Sequence, residues 1–252
     1  MSLSVDIIKK KSNPNHNIFI YDVIDSTNTE AKRIAEEYDN AVIIADSQTA
    51  GRGRLGRSFY SPVGNGLYIS FLKECSSFGE DIVLITTAVS VAVCRAIKRV
   101  TGKDVMIKWV NDLYLDGKKV CGILTEAVRD HISGAAKQII IGIGINCGNE
   151  AFPDEIKEIA GSLGCDDRNS LAAEVINEID KIGSMIKNKN FMDEYRKKSL
   201  VIGKEIKIVN TGEIAEAVDI DDMGGLVVNC GGKIKTLSSG EISIRLYGNN
   251  KV

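Results

Sequence analysis

Three glycines and three arginines fill six of the seven positions 51–57 (Gly-Arg-Gly-Arg-Leu-Gly-Arg), and this stretch limits the available folds more than any other. Glycine permits sharp turns, and arginine carries a planar, permanently charged fork that suits phosphate. The stretch therefore predicts a loop that closes over an anion, although a solvated basic turn would have the same composition. The glycines also satisfy the dinucleotide-binding pattern G-x-G-x-x-G, which requires a strand before it and a helix after it.

The sequence on either side of this loop argues against the common nucleotide-binding turns. Residues 41–45 are predicted to form a buried strand, but residues 67–71 after the loop are predicted to form a second strand. A loop between two strands does not fit a Rossmann turn. No Gly-Lys-Ser/Thr follows the loop, so the Walker A pattern fails as well.

The composition of the chain limits the kinds of chemistry that it can perform. A net charge of −2 supplies no broad attraction to nucleic acid, so the arginines indicate a local site. The six cysteines contain no C-x-x-C pair, and there is no signal peptide or membrane-length apolar run, which together predict a cytoplasmic protein with reduced thiols. The two histidines, His16 and His131, lie in a polar stretch and a predicted turn. Chemistry based on lysine, arginine and carboxylates is therefore expected.

The first predicted strand, residues 18–24, runs into a helix start. Thr27 and Glu30 have the spacing of a capping box, and apolar residues then recur at helical spacing to Tyr38. N-capping alone would explain Ser26 and Thr27, but a helix N-terminus with free N–H groups is also an anion site. Further helices are predicted over residues 81–100, 170–186 and 191–200, with the basic run 196–198 as a solvated face.

Residues 105–126 are predicted to form a hairpin, because Asp116-Gly117 is a strong turn signal. Lys108 lies in this segment directly before the single tryptophan, Trp109. It could point to solvent, as most strand lysines do, or lie in a dry pocket where it neutralises negative charge. In the strand 139–146, Gly142 and Gly144 leave one face bare, which favours close approach of a ligand or of another backbone.

The predicted secondary structure changes near residue 203, where helices give way to short strands separated by turns. Five short strands, the last over residues 241–246, are predicted in under fifty residues, which is typical of a small barrel or sandwich. We therefore predict two domains, residues 1–200 and 201–252.

Five motifs together resemble the biotin protein ligases, and the resemblance extends from residue 25 to residue 245. The motifs are residues 51–57, 108–112 (Lys-Trp-Val-Asn-Asp), 122–126 (Gly-Ile-Leu-Thr-Glu), 142–146 (Gly-Ile-Gly-Ile-Asn) and 240–243 (Gly-Glu-Ile-Ser). The resemblance implies an α/β (α+β) fold, with a mixed sheet flanked by helices as in class II aminoacyl-tRNA synthetases, followed by an SH3-like barrel. About seventeen residues precede the first strand, too few for the DNA-binding winged helix of some members. An enzyme-only type without a DNA or membrane partner is expected.

The implied reaction has two steps. The carboxylate of biotin attacks the α-phosphate of ATP, supplied with Mg²⁺, to give biotinyl-5′-AMP, and a lysine of a biotin carboxyl carrier protein then takes the biotin. The carrier would belong to acetyl-CoA carboxylase or a related enzyme, and exposed sheet edges are compatible with a homodimer. The chemistry needs cations near phosphate, close backbone approach and exclusion of water, and no enzyme nucleophile.

The resemblance also implies roles for residues at matching positions. The implied catalytic residues are Lys108 and Arg54. The implied biotin-binding residues are Ser26, Thr27, Asn28, Gln48, Arg52, Gly53, Arg54, Lys108 and Gly122. The implied ATP and adenylate residues are Arg52, Arg54, Arg57, Phe59, Lys108 and Asn146, and no protein metal ligand is implied.

Three positions depart from the family pattern. Val110 replaces a proline, Cys121 a glycine or alanine, and Phe59 a tryptophan that would stack on adenine. None of them removes a charged group. Two other functions stay open: a lipoate or octanoate ligase or transferase, which would share the fold, and a non-catalytic biotin-binding protein. The loop arginines and Lys108 argue against pure binding, because neutral ureido and thioether groups need no phosphate-directed cations.

Overall fold

The computed structural model describes residues 2–130, 132–148, 151–238 and 244–246, so His131 and the motif at 240–243 lie outside the described residues. Within these ranges the chain forms six α-helices and twelve β-strands. The helices are α1 (Val5–Lys11), α2 (Thr27–Arg33), α3 (Ile85–Thr101), α4 (Arg168–Ile179), α5 (Ile182–Asn188) and α6 (Met192–Lys197). The strands are β1 (Ile18–Ile24), β2 (Ala41–Gln48), β3 (Gly66–Glu74), β4 (Met106–Lys108), β5 (Asp112–Leu115), β6 (Lys118–Arg129), β7 (Ala136–Asn146), β8 (Glu205–Ile208), β9 (Ile214–Ile220), β10 (Leu226–Cys230), β11 (Lys233–Leu237) and β12 (Ile244–Leu246).

Strands β1 to β7 form one mixed sheet in the order β1-β2-β3-β7-β6-β5-β4. Strand β1 pairs with β2 in parallel, and the other neighbours are antiparallel. Both faces of β2 are buried, which explains its continuous apolar run. Val42 and Ile44 face the larger core with α3 and α4, while Ala41 and Ile43 face a smaller core with α2. The predicted mixed sheet flanked by helices is confirmed.

The long central helix begins later than its apolar spacing predicts. Residues 79–84 form 3₁₀ turns, and the α-helix α3 starts at Ile85 and ends before Gly102, whose φ of 72° closes it. Eleven of its residues are buried, so its apolar stripe packs in the core as expected.

Two predictions about helices are wrong. The predicted helix over residues 170–186 is two helices, α4 and α5, with Asp180 between them accepting hydrogen bonds from His16 (2.8 Å) and Lys73 (3.1 Å). The predicted capping box is also absent, because Ser26 is the N-cap of α2 and Thr27 is its first residue. The Glu30 carboxylate is bonded to Tyr21 and Arg33 instead of returning to the helix N-terminus.

The last five strands form a separate antiparallel sheet in the order β11-β10-β9-β8-β12. The structure describes residues 244–246 of the predicted strand 241–246, and these residues form β12. The basic run before this sheet is not simply a solvated face, because Arg196 donates from Nε to the carbonyl of Ile220 (2.7 Å) and pairs with Asp222 (2.5 Å). Trp109 Nε1 donates to the Gly224 carbonyl at 3.0 Å. These bonds join the second sheet to α6 and to the segment after β4.

Candidate active site

A cleft that is partly open to solvent lies on the mixed sheet where β6 and β7 meet the start of α2 and the Gly/Arg loop. Its lining residues are Ser26, Thr27, Asn28, Gln48, Arg52, Gly53, Arg54, Phe59, Asn111, Lys119, Gly122, Ile123, Leu124, Gly142, Ile143 and Gly144. The cleft has two sets of side chains, one neutral and one ionic. We call Ser26, Thr27, Asn28, Gln48 and Ser70 the polar end, and Arg52, Arg54, Asp112, Lys119 and Glu126 the charged end.

The Gly/Arg loop is a small hairpin that folds back on itself. The N–H of Phe59 donates to the carbonyl of Gly51 (2.9 Å), and that of Gly53 to the carbonyl of Arg57 (2.7 Å). Leu55 and Gly56 turn the tip with φ of 55° and 73°. A Cβ at Gly51 would lie 2.4 Å from the Phe59 carbonyl oxygen, so this position has no room for a side chain. The hairpin carries two of its arginines, Arg52 and Arg54, to the cleft wall.

A chain of hydrogen bonds runs through the polar end. Thr27 donates to Gln48 Oε1 from both its backbone N–H (2.9 Å) and its hydroxyl (3.2 Å). The hydroxyl of Ser70, a buried residue of β3, lies 2.7 Å from Thr27 Oγ1 and 2.6 Å from Asn28 Oδ1. Gln48 Nε2 donates to Ser61 Oγ at 2.9 Å. Because Thr27, Asn28, Gln48 and Ser70 are each held by a neighbour, these side chains are ordered before any ligand arrives.

Glu126 connects the polar end to the charged end. Its Oε2 accepts a hydrogen bond from Asn28 Nδ2 (2.8 Å), and its Oε1 lies 3.0 Å from Arg52 Nη2. The Glu126 side chain is 29% exposed and that of Arg52 is 48% exposed, so this pair lies where the cleft opens.

The floor of the cleft consists of backbone, as the bare glycine face predicts. A Cβ at Gly142 would lie 2.0 Å from Asn28 Oδ1, and one at Gly144 would lie 2.6 Å from the Phe59 ring. Gly122, which pairs with Gly144 across β6 and β7, is also covered by Phe59, at 3.1 Å from a Cβ there. The three glycines therefore let Asn28 and Phe59 lie flat on the sheet.

The remaining cations of the charged end have protein partners. Lys119 Nζ lies 2.7 Å from Asp112 Oδ1 and 5.9 Å from the centre of the Phe59 ring. Arg54 donates to Asn111 Oδ1 at 3.1 Å. Burial lowers the pKa of the Arg54 guanidinium, but a guanidinium keeps its charge at neutral pH. A partly desolvated charge attracts an anion more strongly than a hydrated one.

Of the residues that the family resemblance implied, the structure brings nine to the cleft wall. These are Ser26, Thr27, Asn28, Gln48, Arg52, Gly53, Arg54, Phe59 and Gly122. Three others lie outside the lining. Lys108 has its Nζ 5.5 Å from the centre of the Tyr114 ring. The buried Asn146 donates from Nδ2 to the carbonyl of Gly161 (2.9 Å), and Arg57 is exposed. Their implied functions stay predictions.

Sequence reasoning missed Lys119, the lysine that does line the cleft. The pairing of β5 with β6 passes from Leu113–Cys121 to Tyr114–Lys119, so Val120 has no partner in this ladder. One extra residue in a strand exchanges the faces on either side of it. Lys119 therefore shares a face with Gly122, which regular alternation would place on the opposite side. No sequence signal marks this bulge.

Comparison with known proteins gives the family. The model of the "Biotin/lipoate A/B protein ligase family" matches residues 20–146, and that of the "Biotin protein ligase C terminal domain" matches residues 201–245. The bifunctional ligase/repressor BirA of Bacillus subtilis is 31% identical over 248 residues, covering 90% of this chain and 74% of that protein. The biotin–[acetyl-CoA-carboxylase] ligase of Mycobacterium tuberculosis is 27% identical, covering 82% and 79%.

Solved structures agree with the family models. The biotin protein ligase of Aquifex aeolicus in complex with biotin and ATP superimposes with a TM-score of 0.81 at 32% identity, covering 92% of this chain and 99% of that one. The chain belongs to the biotin/lipoate A/B protein ligase family. Within that family it is a biotin protein ligase, and so an enzyme. In the described ranges, no helix has both the length and the apolar character needed to span a membrane.

Proposed function

We propose that this enzyme activates biotin with MgATP as biotinyl-5′-AMP and then transfers biotin to a lysine of a biotin carboxyl carrier protein or domain. The observation that carries the proposal is the cleft, whose lining combines neutral hydrogen-bonding groups with Arg52, Arg54 and Lys119. The Aquifex relative is described with biotin and ATP, and the Mycobacterium relative is named for acetyl-CoA carboxylase. A carrier from a carboxylase is therefore the proposed acceptor.

The polar end is the proposed site of the biotin head group. A ureido group offers N–H donors and one carbonyl acceptor, and the side chains of Ser26, Thr27, Asn28 and Gln48 offer both kinds of partner. The rigidity of this end favours one ligand orientation, because little side-chain freedom is lost on binding.

In the activation step, a biotin carboxylate oxygen attacks the α-phosphorus of ATP. An O–P bond forms, the bond from the α-phosphorus to the bridging oxygen breaks, and pyrophosphate leaves with its electron pair. Negative charge gathers between the carboxylate and the α-phosphate, where Arg52, Arg54 and Lys119 would stabilise it. Lys119, which lines the cleft, is proposed for this function beside Lys108, for which the family resemblance implies it.

In the transfer step, the neutral amine of the acceptor lysine attacks the carbonyl carbon of biotinyl-AMP. An amide C–N bond forms, the C–O bond to AMP breaks, and the amine loses a proton. The same cations would stabilise the departing AMP phosphate. Phe59 would offer its ring to adenine, while Arg57 and Asn146 are proposed to contact the ATP phosphates and adenine.

The proposal also covers the domain boundaries, the cellular location and the partners of the enzyme. We propose a catalytic domain at residues 1–200, a C-terminal domain at 201–252, a cytoplasmic location, no DNA partner, and a homodimer formed through exposed sheet edges. Family models that match residues 20–146 and 201–245 support the domain division.

Mass spectrometry of the small molecules formed from biotin, MgATP and pyrophosphatase, with lipoate in a parallel reaction, tests the proposal. We expect biotinyl-AMP from biotin and no lipoyl-AMP from lipoate. Addition of a biotin carboxyl carrier domain should then add one biotin mass to a single lysine. Adenylate from lipoate alone would assign the enzyme to the other acid, and adenylate from neither acid would contradict the proposal.

A further inference from the structure

Glu126 contacts both ends of the cleft, although the proposed reaction gives it no chemical task. Its two carboxylate oxygens are used separately, one by Asn28 Nδ2 at 2.8 Å and one by Arg52 Nη2 at 3.0 Å. It extends from the middle of β6, where it pairs with Ile140 of β7, so its backbone is held in the sheet. A rigid anchor with two separate contacts is suited to positioning other side chains.

The first contact decides which way the amide of Asn28 points. An ionised carboxylate only accepts hydrogen bonds, so the atom of Asn28 that faces it must be the NH₂ group. The carbonyl Oδ1 of Asn28 then points at the Ser70 hydroxyl, 2.6 Å away, and lies over Gly142. Reversing the amide would place its carbonyl oxygen against the Glu126 carboxylate, so that two acceptors would meet without a donor between them.

The second contact holds a long, half-exposed side chain in one place. The Arg52 side chain is 48% exposed and would otherwise sample many rotamers in solvent. Paired with Glu126, its guanidinium stays beside the cleft wall, where an incoming carboxylate can reach it.

We propose that Glu126 is a positioning residue, which sets the amide orientation of Asn28 for the ureido group and holds Arg52 for the carboxylate of the same substrate. The inference rests on the proposed function, since it assigns these two tasks at the biotin site. It differs from the alternative in which Glu126 is a counter-ion that substrate must displace. Removing a competing counter-ion would strengthen binding, whereas removing a positioning group weakens it.

The test is calorimetric binding of biotin and of biotinol, whose carboxylate is replaced by an alcohol, to wild type, Glu126→Gln and Glu205→Gln. Glu205 is an exposed carboxylate of β8 and controls for lost charge. In Glu126→Gln one of the two acceptor oxygens becomes an NH₂ group, so only one of the contacts with Asn28 and Arg52 keeps an acceptor. We expect biotin to bind about tenfold more weakly, since a hydrogen bond to a charged group is lost. Glu205→Gln should bind both ligands as wild type does.

Biotinol separates the two contacts, because it lacks the group that Arg52 would meet. Equal weakening of both ligands assigns the effect to Asn28, and a larger loss for biotin adds the effect of Arg52. Unchanged or tighter binding of both ligands would overturn the inference. Thermal unfolding within about 3 °C of wild type would separate positioning from a general loss of structure.

If Glu126→Gln does not fold, Glu126→Asp replaces it. This variant keeps the charge, but its shorter side chain cannot span both partners, and we expect about threefold weaker binding of biotin. Wild-type affinity in that variant would overturn the inference. Failure of the proposed function is distinguishable, because it would appear as absence of biotinyl-AMP with the wild-type enzyme.

Discussion

At the polar end of the cleft, Thr27, Asn28 and Ser70 are at most 5% exposed and bond to one another, whereas at the charged end Arg52 and Lys119 keep side chains that are 48% and 32% exposed. The buried groups have exchanged water for fixed neighbours, so their geometry is set on folding. Both cations instead pair with a protein carboxylate at the rim of the cleft. Exposed ion pairs contribute little stability, so these cations are held less firmly than the buried groups. Substitutions at the polar end should therefore impair biotin binding, and substitutions of Lys119 and Arg54 should impair formation or retention of the adenylate.

The largest effect should follow Gly142→Ala. The added Cβ would lie 2.0 Å from Asn28 Oδ1, so the Asn28 side chain must leave its place over the sheet. We expect loss of biotin affinity by about a hundredfold or more, since misplacement by about 1 Å can cost that much. Isothermal calorimetry measures it, with Gly183→Ala in α5 as the control. Wild-type affinity would show that the polar end is adaptable.

Lys119→Ala should slow adenylate formation about a hundredfold, because removing one group that stabilises developing negative charge lowers a rate by about that factor. Single-turnover formation of biotinyl-AMP measures it. Lys118→Ala is the matched control, since Lys118 bonds to the carbonyl of Lys157 outside the cleft (3.0 Å). Lys108→Ala tests in the same assay the function that the sequence predicts for Lys108. A hundredfold loss in folded Lys108→Ala, with Lys119→Ala active, would assign this function to Lys108 alone.

Arg54→Ala should weaken retention of biotinyl-AMP about tenfold while biotin affinity changes less, because a partly buried guanidinium suits the phosphate that biotin lacks. Dissociation rates of the adenylate and affinities for biotin would be compared in the same variant. Comparable losses for the two ligands would place Arg54 at the biotin carboxylate instead.

The smallest effect is expected from Ser70→Ala, which removes one hydroxyl from the polar end. Thr27 Oγ1 and Asn28 Oδ1 each lose a neighbour within 2.7 Å. We expect about 1 kcal/mol less biotin binding free energy, close to fivefold in affinity, and no change in ATP binding. An equal loss for ATP would mean that the two ends are not independent.

Much of the fold could be predicted because its signals are local. Apolar runs marked the strands of the mixed sheet, and the Asp116-Gly117 turn has φ of 47° and 79° at its two residues, as a tight hairpin between β5 and β6 requires. Nine of the residues implied by the family resemblance line the cleft. The capping box at Thr27 failed because the hydroxyl found a partner in Gln48, distant in sequence.

By itself the sequence determined the Gly/Arg loop between two strands, the bare glycine floor and the order of the strands in the chain, because each depends on the conformational preferences of neighbouring residues. The tertiary structure decided which lysine reaches the cleft and what Arg196 does. Val120 has no pair in the β5–β6 ladder, and the resulting bulge directs Lys119 toward the cleft. Arg196, which the sequence predicts to face solvent, donates a hydrogen bond to the carbonyl of Ile220. Both outcomes depend on the position of a second strand or sheet, which no local sequence pattern encodes. The register and packing between distant segments decide them.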